Sequence, residues 1–474
     1  MIQTTEDILA VIKSDSETLT SDLIASLVKD ARHNEGARRQ KLWDRYNLKN
    51  IPIQFKKLAN YEKEFDRIAN DFYADVVDTK TGYMGNEVTT GLLREEYEVN
   101  NNLNEVVYDK DRKFLHDYQV MSNSEDKNSE QVRMAGATGL GYRLLYIPEG
   151  KNEVKTMNLK PWEVIYVYDD SLDEPTLAIR FYTMQVEEFG FFGKDKEITK
   201  VEWYDNKNVT YYKDDGDMRF FVDQSKGIDG VQPHLLDGIP IIPFPNNEET
   251  TAEPEKVVSL IDAYDTVTSS TVSEIEQLRL AYMFIKGSGL MVDEPFMRNL
   301  EQTGMFALEG DGEIGFVNKE LFDAPIHNIL AELRKNIYQF SKSVDMSKDF
   351  GGDMRVIGWQ VTLLNLENSC KITERKFKRA LRRQYELLTS YWKKYMGVSI
   401  NPYNLEFTFI RNFPRDIRAE AETLQFLLAS VSKKTAFSQM SFIDDPEAEI
   451  TAMEGETDPF REVDNVKKPI PEQQ

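Results

Sequence analysis

The 474-residue sequence contains a single cysteine, Cys370. No intramolecular disulfide can form and no cysteine cluster can hold zinc, so a reducing setting is expected, with Cys370 as a small packing group on a helix. Histidine is nearly as scarce. His33, His116, His234 and His327 are the full set, and none stands three or four residues from another, which removes the usual histidine metal pair. Long hydrophobic runs are missing too. No stretch reaches transmembrane length, and the opening MIQTTEDILAVIKSD carries acids without the apolar run of a secretory signal. Bases are in deficit, 58 against 81 acids, for a net charge of −23. Such a chain does not attract a free polyanion through its overall charge. Contact with nucleic acid would need a local basic patch, or a task in which sticking is avoided.

Catalytic signatures are absent as well. Asp349-Phe350-Gly351 matches the magnesium-binding tripeptide of protein kinases, but no His-Arg-Asp string accompanies it. The glycine-rich string GATGLG, Gly136 to Gly141, has the order Gly-x-x-Gly-x-Gly rather than the phosphate-cradling one. Its position predicts a helix stop and a tight turn into a strand. GFFGKDK, Gly190 to Lys196, has neither the spacing nor the hydroxyl of a P-loop. Paired carboxylates abound, as they must in an acidic chain, and none is singled out as an acid or base. The chain reads as a non-enzyme with no cofactor.

What is present is a change of period along the chain. The first 140 residues read as mostly helical. They include DILAVIKS, DLIASLVKDARHNEGARRQKLWDRY, a helix predicted to end near Asp78 with turns at Gly82 and Gly85, and helices over 104–120 and 128–134. From Tyr142 the period becomes two. YRLLYIPEG, EVIYVYDD, LAIRFYTM, ITKVEWYD, NVTYYKDD and MRFFVDQ predict short antiparallel strands, closed by DGIPIIPFPNNEE. Apolar residues from Val257 to Ile285 at three-four spacing then predict one helix from Pro254 to Lys286, about 50 Å long if continuous. A small β-rich insert follows, from SGLMVDEP to IGFVNKE. Ala324 to Met346 predicts a second helix and Val361 to Met396 a third, stopped at Gly397. LEFTFI alternates as a strand, and Ala419 to Ser432 returns to helix. The end, from Ile443 to Gln474, carries ten acids and three bases and reads as a short helix with an acidic tail.

Two features stand out. Lys371 to Tyr395 carries nine bases and two acids in an otherwise acidic chain. Arg375, Arg379, Arg382 and Arg383 fall near one helical face and would suit phosphates; the favoured reading is that this helix pairs with acidic partners in the same chain or a neighbouring subunit. The second is the loop SKDFGGDMRVIGWQ, Ser347 to Gln360, a polar glycine-rich stretch between two helical patterns.

Several strings in order resemble the portal proteins of tailed double-stranded DNA phages. VDTKTGYMGNEV, Val77 to Val88, is similar to that family's VD-x-K-x-GY-x-x-G segment. GYRLLYIPEG resembles an early wing strand. GIPIIPFPNNEE with EKVVSLIDAYDTVTSSTVSEIEQLRLAYMFIKG looks like the approach to the first stem helix. DMSKDFGGDMRVIGWQVTLLNLENSCKITERKFKRALRR is similar to the tunnel loop and tunnel helix, while RNFPRD and SFIDDPEAEI match the strand exit and the crown. The resemblance covers roughly residues 60 to 455.

The resemblance implies an α+β portal fold: a wing over 1–253, stem helices over 254–282 and 324–347, a small β-rich clip over 283–323 between them, a tunnel loop and tunnel helix over 348–397, a wing return strand over 398–413, and a crown with an acidic tail over 414–474. It implies a homo-oligomeric ring, usually a dodecamer, at one capsid vertex of the virion, assembled in the bacterial cytoplasm without a membrane. Double-stranded DNA would pass through the ring. Partners would be the terminase large subunit, the major capsid and scaffolding proteins, and a head-completion or adaptor protein. Each loop would point toward the axis, with Gly351 and Gly352 allowing sharp bends, Lys348 and Arg355 near phosphates, and Asp349 and Asp353 limiting adhesion. The family's Ser-Gly-x-Ala string is replaced by Val356-Ile357-Gly358-Trp359, with Trp359 expected to anchor the helix start. An acidic lumen would let DNA slide, since each phosphate contact adds affinity through counterion release. The competing readings are another phage ring component such as a head–tail adaptor, for which this chain is long, and a nucleotide-dependent enzyme.

Overall fold

A computed structural model describes residues 17–56, 66–84, 87–93, 102–168, 175–186, 196–227, 229–278, 282–286, 298, 313–317, 323–347, 356–412, 417–440, 443, 449–450 and 452–453. The chain divides into two units, Met1–Gly352 with Gln360–Arg411, and Asp353–Trp359 with Asn412–Gln474. In chain order the elements are α1 (Glu17–His33), α2 (Glu35–Tyr46), α3 (Pro52–Phe55), α4 (Phe72–Met84), β1 (Glu87–Leu92), α5 (Asn102–Ser122), α6 (Ser124–Thr138), β2 (Leu140–Tyr146), β3 (Lys155–Leu159), β4 (Val164–Tyr168), β5 (Pro175–Val186), β6 (Lys196–Tyr204), β7 (Asn208–Asp214), β8 (Phe220–Val222), β9 (Val231–Pro233), β10 (Ile241–Pro245), α7 (Val258–Leu278), β11 (Tyr282–Lys286), β12 (Glu313–Val317), α8 (Asp323–Phe340), α9 (Val356–Tyr391), β13 (Leu405–Ile410), α10 (Ile417–Leu428) and α11 (Lys433–Phe437).

All strand pairs among the described residues are antiparallel. The largest sheet runs β4-β5-β6-β7-β8, with β9 also on β7. A second sheet has the order β10-β2-β3, and β1 pairs with β13 across more than 300 residues of chain. The period-two alternation decides the layers. Leu177, Ile179 and Phe181 of β5 point to one face, where Leu23, Ile24 and Val28 of α1 cover them. Ala178, between them, faces a different core built from Tyr142, Leu144, Val164, Tyr204 and Ile241. A third core joins helices: Leu42, Tyr73, Val77, Ala137, Val257, Ile261 and Ile337.

The GATGLG string has a structural reason. Helix α6 stops at Thr138, and Gly139 takes φ +86° before β2 begins. A Cβ at Gly139 would lie 2.0 Å from the Thr250 carbonyl oxygen, so glycine is required by packing as well as by φ.

Several boundaries differ from the sequence expectation. Helix α4 continues past Asp78 to Met84 and takes Gly82 into its last turns. The single helix predicted from Pro254 to Lys286 is instead a 3₁₀ turn at Glu255–Val257, then α7 ending at Leu278. Tyr282–Lys286 is strand β11, paired with β12. A continuous run such as YMFI satisfies helix and strand templates equally, and the cross-strand partner decides. The second helix ends at Phe340, not Met346; Ser341 and Lys342 turn, with Lys342 at φ +59°. Helix α9 begins at Val356, five residues before the predicted start, so Val356-Ile357-Gly358-Trp359 is helical. β-Branched residues and glycine lower helix propensity and mask that first turn in the sequence. The chain leaves α9 through a π turn, Trp392–Met396, and Gly397 at φ +69°. Strands β1, β3 and β9 have no counterpart in the sequence reading.

Candidate functional site: the flanks of the loop and the anchoring of α9

Lys348, Asp349, Gly351, Gly352, Asp353 and Arg355 all lie outside the described residues. The structure does describe both flanks and what fixes them. On the N-terminal side the chain turns back onto α8. Arg334 forms a two-pronged pair with Asp345, Nε to Oδ2 at 2.9 Å and Nη2 to Oδ1 at 3.0 Å. Asp345 also accepts from the Ser347 backbone N–H (3.1 Å) and hydroxyl (2.8 Å), and Arg334 also reaches the Ser347 hydroxyl. Burial pushes the Asp345 carboxyl up, but these hydrogen bonds outweigh it and hold it below the usual carboxylate range. Tyr338, one turn on from Arg334 along α8, donates to Asp75 of α4 at 2.8 Å.

On the C-terminal side the chain continues as α9, 36 residues and about 54 Å long. Two clusters hold it. In the first, Lys80 of α4 is 3% exposed. Four oxygens lie within hydrogen-bond reach of its three N–H donors: Glu253 Oε2 (2.6 Å), Thr373 Oγ1 (2.8 Å), Asn246 Oδ1 (3.1 Å) and Ser369 Oγ (3.2 Å). Ser369 in turn donates to Glu253, and Thr373 to the Asn246 carbonyl at 2.9 Å. One ammonium therefore joins α4, the 246–253 segment and α9. Burial raises the Glu253 carboxyl, and Lys80 with the Ser369 and Asn246 hydrogen bonds more than offsets it, leaving Glu253 depressed. Cys370 sits beside this cluster, buried, its thiol pushed up to about 12 by desolvation.

In the second cluster Arg411, just beyond β13, bonds Glu367 (2.8 Å) and Glu374 (2.7 Å) of α9, with its guanidinium over the Tyr83 ring at 5.9 Å. Lys80 and Tyr83 are both in the VDTKTGY string. Three residues apart on α4, they reach α9 through different partners, which is a physical reason for that string. Sequence reasoning names the string but not these roles. The available signal is a lysine at apolar spacing, with Val76, Val77 and Met84 all buried around it.

Helix α7 is laced to segment 66–70. Asp265, Ser269 and Ser273 lie four residues apart on one face and accept from the backbone N–H groups of Asn70 (2.9 Å), Ile68 (3.0 Å) and Asp66 (3.1 Å). Four helical residues rise about 6 Å, and two extended residues rise about 6.6 Å, so the two ladders stay in step. Arg38–Glu255 and Arg45–Asp262 add two rungs between α2 and the α7 region, seven residues apart on each side.

The basic span of α9 is partly neutralised within the chain. Lys371–Glu367, Lys378–Glu374, Arg383–Glu386 and Lys376–Glu248 pair. Arg375, Arg379 and Arg382 are exposed, and among the described residues no ion pair reaches them.

The sequence matches the family described as phage portal protein, SPP1 Gp6-like, over residues 27–459. The chain belongs to the SPP1-like family of phage portal proteins. The portal protein of Bacillus phage SPP1 is 26% identical over 501 aligned residues, covering 96% of this chain and 93% of that protein. The α+β architecture agrees with a portal fold. Portal proteins of this family are structural ring proteins of the phage capsid, not enzymes. The Asp349-Phe350-Gly351 tripeptide accordingly has no kinase meaning.

Proposed function

We infer that this portal chain assembles into a ring, a dodecamer by analogy with its family, at one capsid vertex, and that the ring conducts double-stranded DNA during packaging and ejection. The segment around α7 and α8 serves as the stem, the β11–β12 hairpin belongs to the clip that docks the terminase large subunit and then a head-completion protein, and α9 is the tunnel helix. Assembly with scaffolding and major capsid proteins takes place in the bacterial cytoplasm. The observation that carries this reading is the family match, whose span, residues 27–459, takes in the loop and both helices beside it. The anchored flanks support it. A loop that touches moving DNA needs fixed ends, and the Arg334–Asp345 pair and the Lys80 cluster supply them on either side. In this reading Lys348 and Arg355 meet phosphates, Asp349 and Asp353 limit their grip, and Gly351 and Gly352 let the backbone bend.

Deletion of Asp349–Asp353 tests it. The ring, followed by native mass spectrometry and negative-stain imaging, is expected to survive, and packaging or retention of DNA to fail. Loss of the ring itself would mean that the segment is a structural element of the assembly rather than a contact for DNA.

A further inference from the structure

Between α9 and the β10 edge of the β10-β2-β3 sheet lies a groove of about 610 Å³. Its floor is apolar, from Leu140, Tyr142, Ile242 and Pro243, and its wall is the basic face of α9, with Lys376, Arg379, Arg382 and Arg383. Lys376 and Arg383 have acids, Glu248 and Glu386. Arg379 and Arg382 project, exposed, without an ion pair among the described residues. Such arginines beside an apolar floor are how an interface with an acidic partner is built: the floor supplies burial, the guanidinium groups supply direction.

The edge strand narrows the kind of contact. Leu145 N–H donates to the Pro240 carbonyl, and Asn246 N–H donates to the Gly139 carbonyl. With Ile242 opposite Arg143 and Phe244 opposite Gly141, the even residues of β10 bond to β2 and the odd ones face outward. Two of those outward positions are Pro243 and Pro245, which have no N–H to offer. Strand addition at this edge is blocked, so an occupant is held by its side chains.

We propose that this groove seats a second copy of the chain, which presents acidic side chains to Arg379 and Arg382. The proposal rests on the ring reading and says where one of its contacts lies. Charge complementarity selects the occupant. A chain of net charge −23 offers a predominantly acidic surface to its neighbour, and a ring needs a head-to-tail contact in which a groove on one subunit meets a different patch on the next. DNA is the other anionic candidate, and the experiment separates the two.

The test compares the full-length protein with the double charge reversal Arg379→Glu/Arg382→Glu, by native mass spectrometry and sedimentation at low and high salt. The wild-type chain is expected to give rings. The variant is expected to lose them while keeping its helical spectrum, with a thermal midpoint lowered only by the lost association. A second variant, Arg382→Cys carrying a thiol-linked photo-crosslinker, is expected to join two chains, with the adduct on a peptide rich in Asp and Glu. Cys370, buried and with a raised pKa, stays unlabelled. Undiminished rings in the charge-reversed variant would overturn the proposal. Undiminished rings that bind a short DNA duplex more weakly would overturn it in favour of DNA as the occupant. A wild-type chain that forms no ring, either alone or when produced with its scaffolding and major capsid proteins, would remove the ring reading itself, and the proposal with it, before any variant is made.

Discussion

Two cations are buried among the described residues, and they are stabilised in opposite ways. Lys80 on α4 is 3% exposed and Arg143 on β2 is 1% exposed. Lys80 has a carboxylate, Glu253, at 2.6 Å. The groups that Arg143 bonds are neutral: Asn158 (3.0 Å), Asn128 (2.8 Å) and Gln384 (3.0 Å) through side-chain oxygens, and Lys127 through its backbone carbonyl (2.9 Å), with the Phe244 ring 4.8 Å away beneath the guanidinium. Desolvation lowers Arg143 to about 10, still high enough to keep it charged at neutral pH. The difference follows from the two head groups. An ammonium is a compact charge that is costly to bury without an anion, whereas a guanidinium spreads its charge over a plane of donors that several carbonyl oxygens and an aromatic face can satisfy. Each cation reaches α9 from another element, Lys80 at Ser369 and Thr373, Arg143 at Gln384. The helix is therefore held by a charge-paired ammonium near its middle and by a guanidinium among neutral oxygens toward its end.

The largest effect is expected where charge is unmatched. Lys80→Met leaves Glu253 buried without its cation and should cost about 3–5 kcal/mol in urea denaturation. Lys80→Met/Glu253→Leu should recover part of that loss, because a buried pair replaced by apolar groups is often tolerated. A double variant as weak as the single one would show that the pair is not the source of the loss.

Acid provides the next test, without any substitution. The folded pKa of Glu253 lies below its ordinary value. A depressed carboxylate contributes stability that is fully present above the unfolded pKa and lost as pH falls through the folded one. The Lys80 cluster should therefore weaken as the pH drops below about 4.5, while the oxygens that Arg143 bonds belong to amides and a backbone carbonyl, which do not titrate there. Hydrogen exchange along α9 should show protection near Ser369 and Thr373 falling first, with that near Gln384 persisting. Simultaneous loss at both positions would break the distinction.

How much of this was legible depended on where each partner lay in the chain. The alternating strands, the helix stop at Gly139 and the strand LEFTFI were readable because their signals are local. Strand β1, EVTTGL, was not, since it becomes a strand through β13 more than 300 residues away. The lacing of 66–70 onto Asp265, Ser269 and Ser273 likewise joins residues about 200 apart, and no periodicity in either segment points to the other. The stretch from Ser347 to Gln360 reads as a loop because of its glycines, yet its last residues are not loop. Val356 to Trp359 follow α9 into helix despite weak local preference, an override by the long helix they begin.

The smallest effect separates charge from geometry. Arg143→Lys keeps the positive charge and should still destabilise, by about 1–3 kcal/mol. A lysine has three donors on one nitrogen at the end of a flexible stem. Arg143 uses Nε, Nη1 and Nη2 to meet four oxygens that lie on α6, β3 and α9. A single ammonium would satisfy two or three of them and leave the rest buried without a donor, and the Phe244 ring would lose its flat partner. The urea midpoint should shift while the slope stays constant, since the change is local. A lysine variant as stable as the wild type would mean that charge alone suffices at this site, and that Lys80 and Arg143 differ only in the partners that happen to surround them.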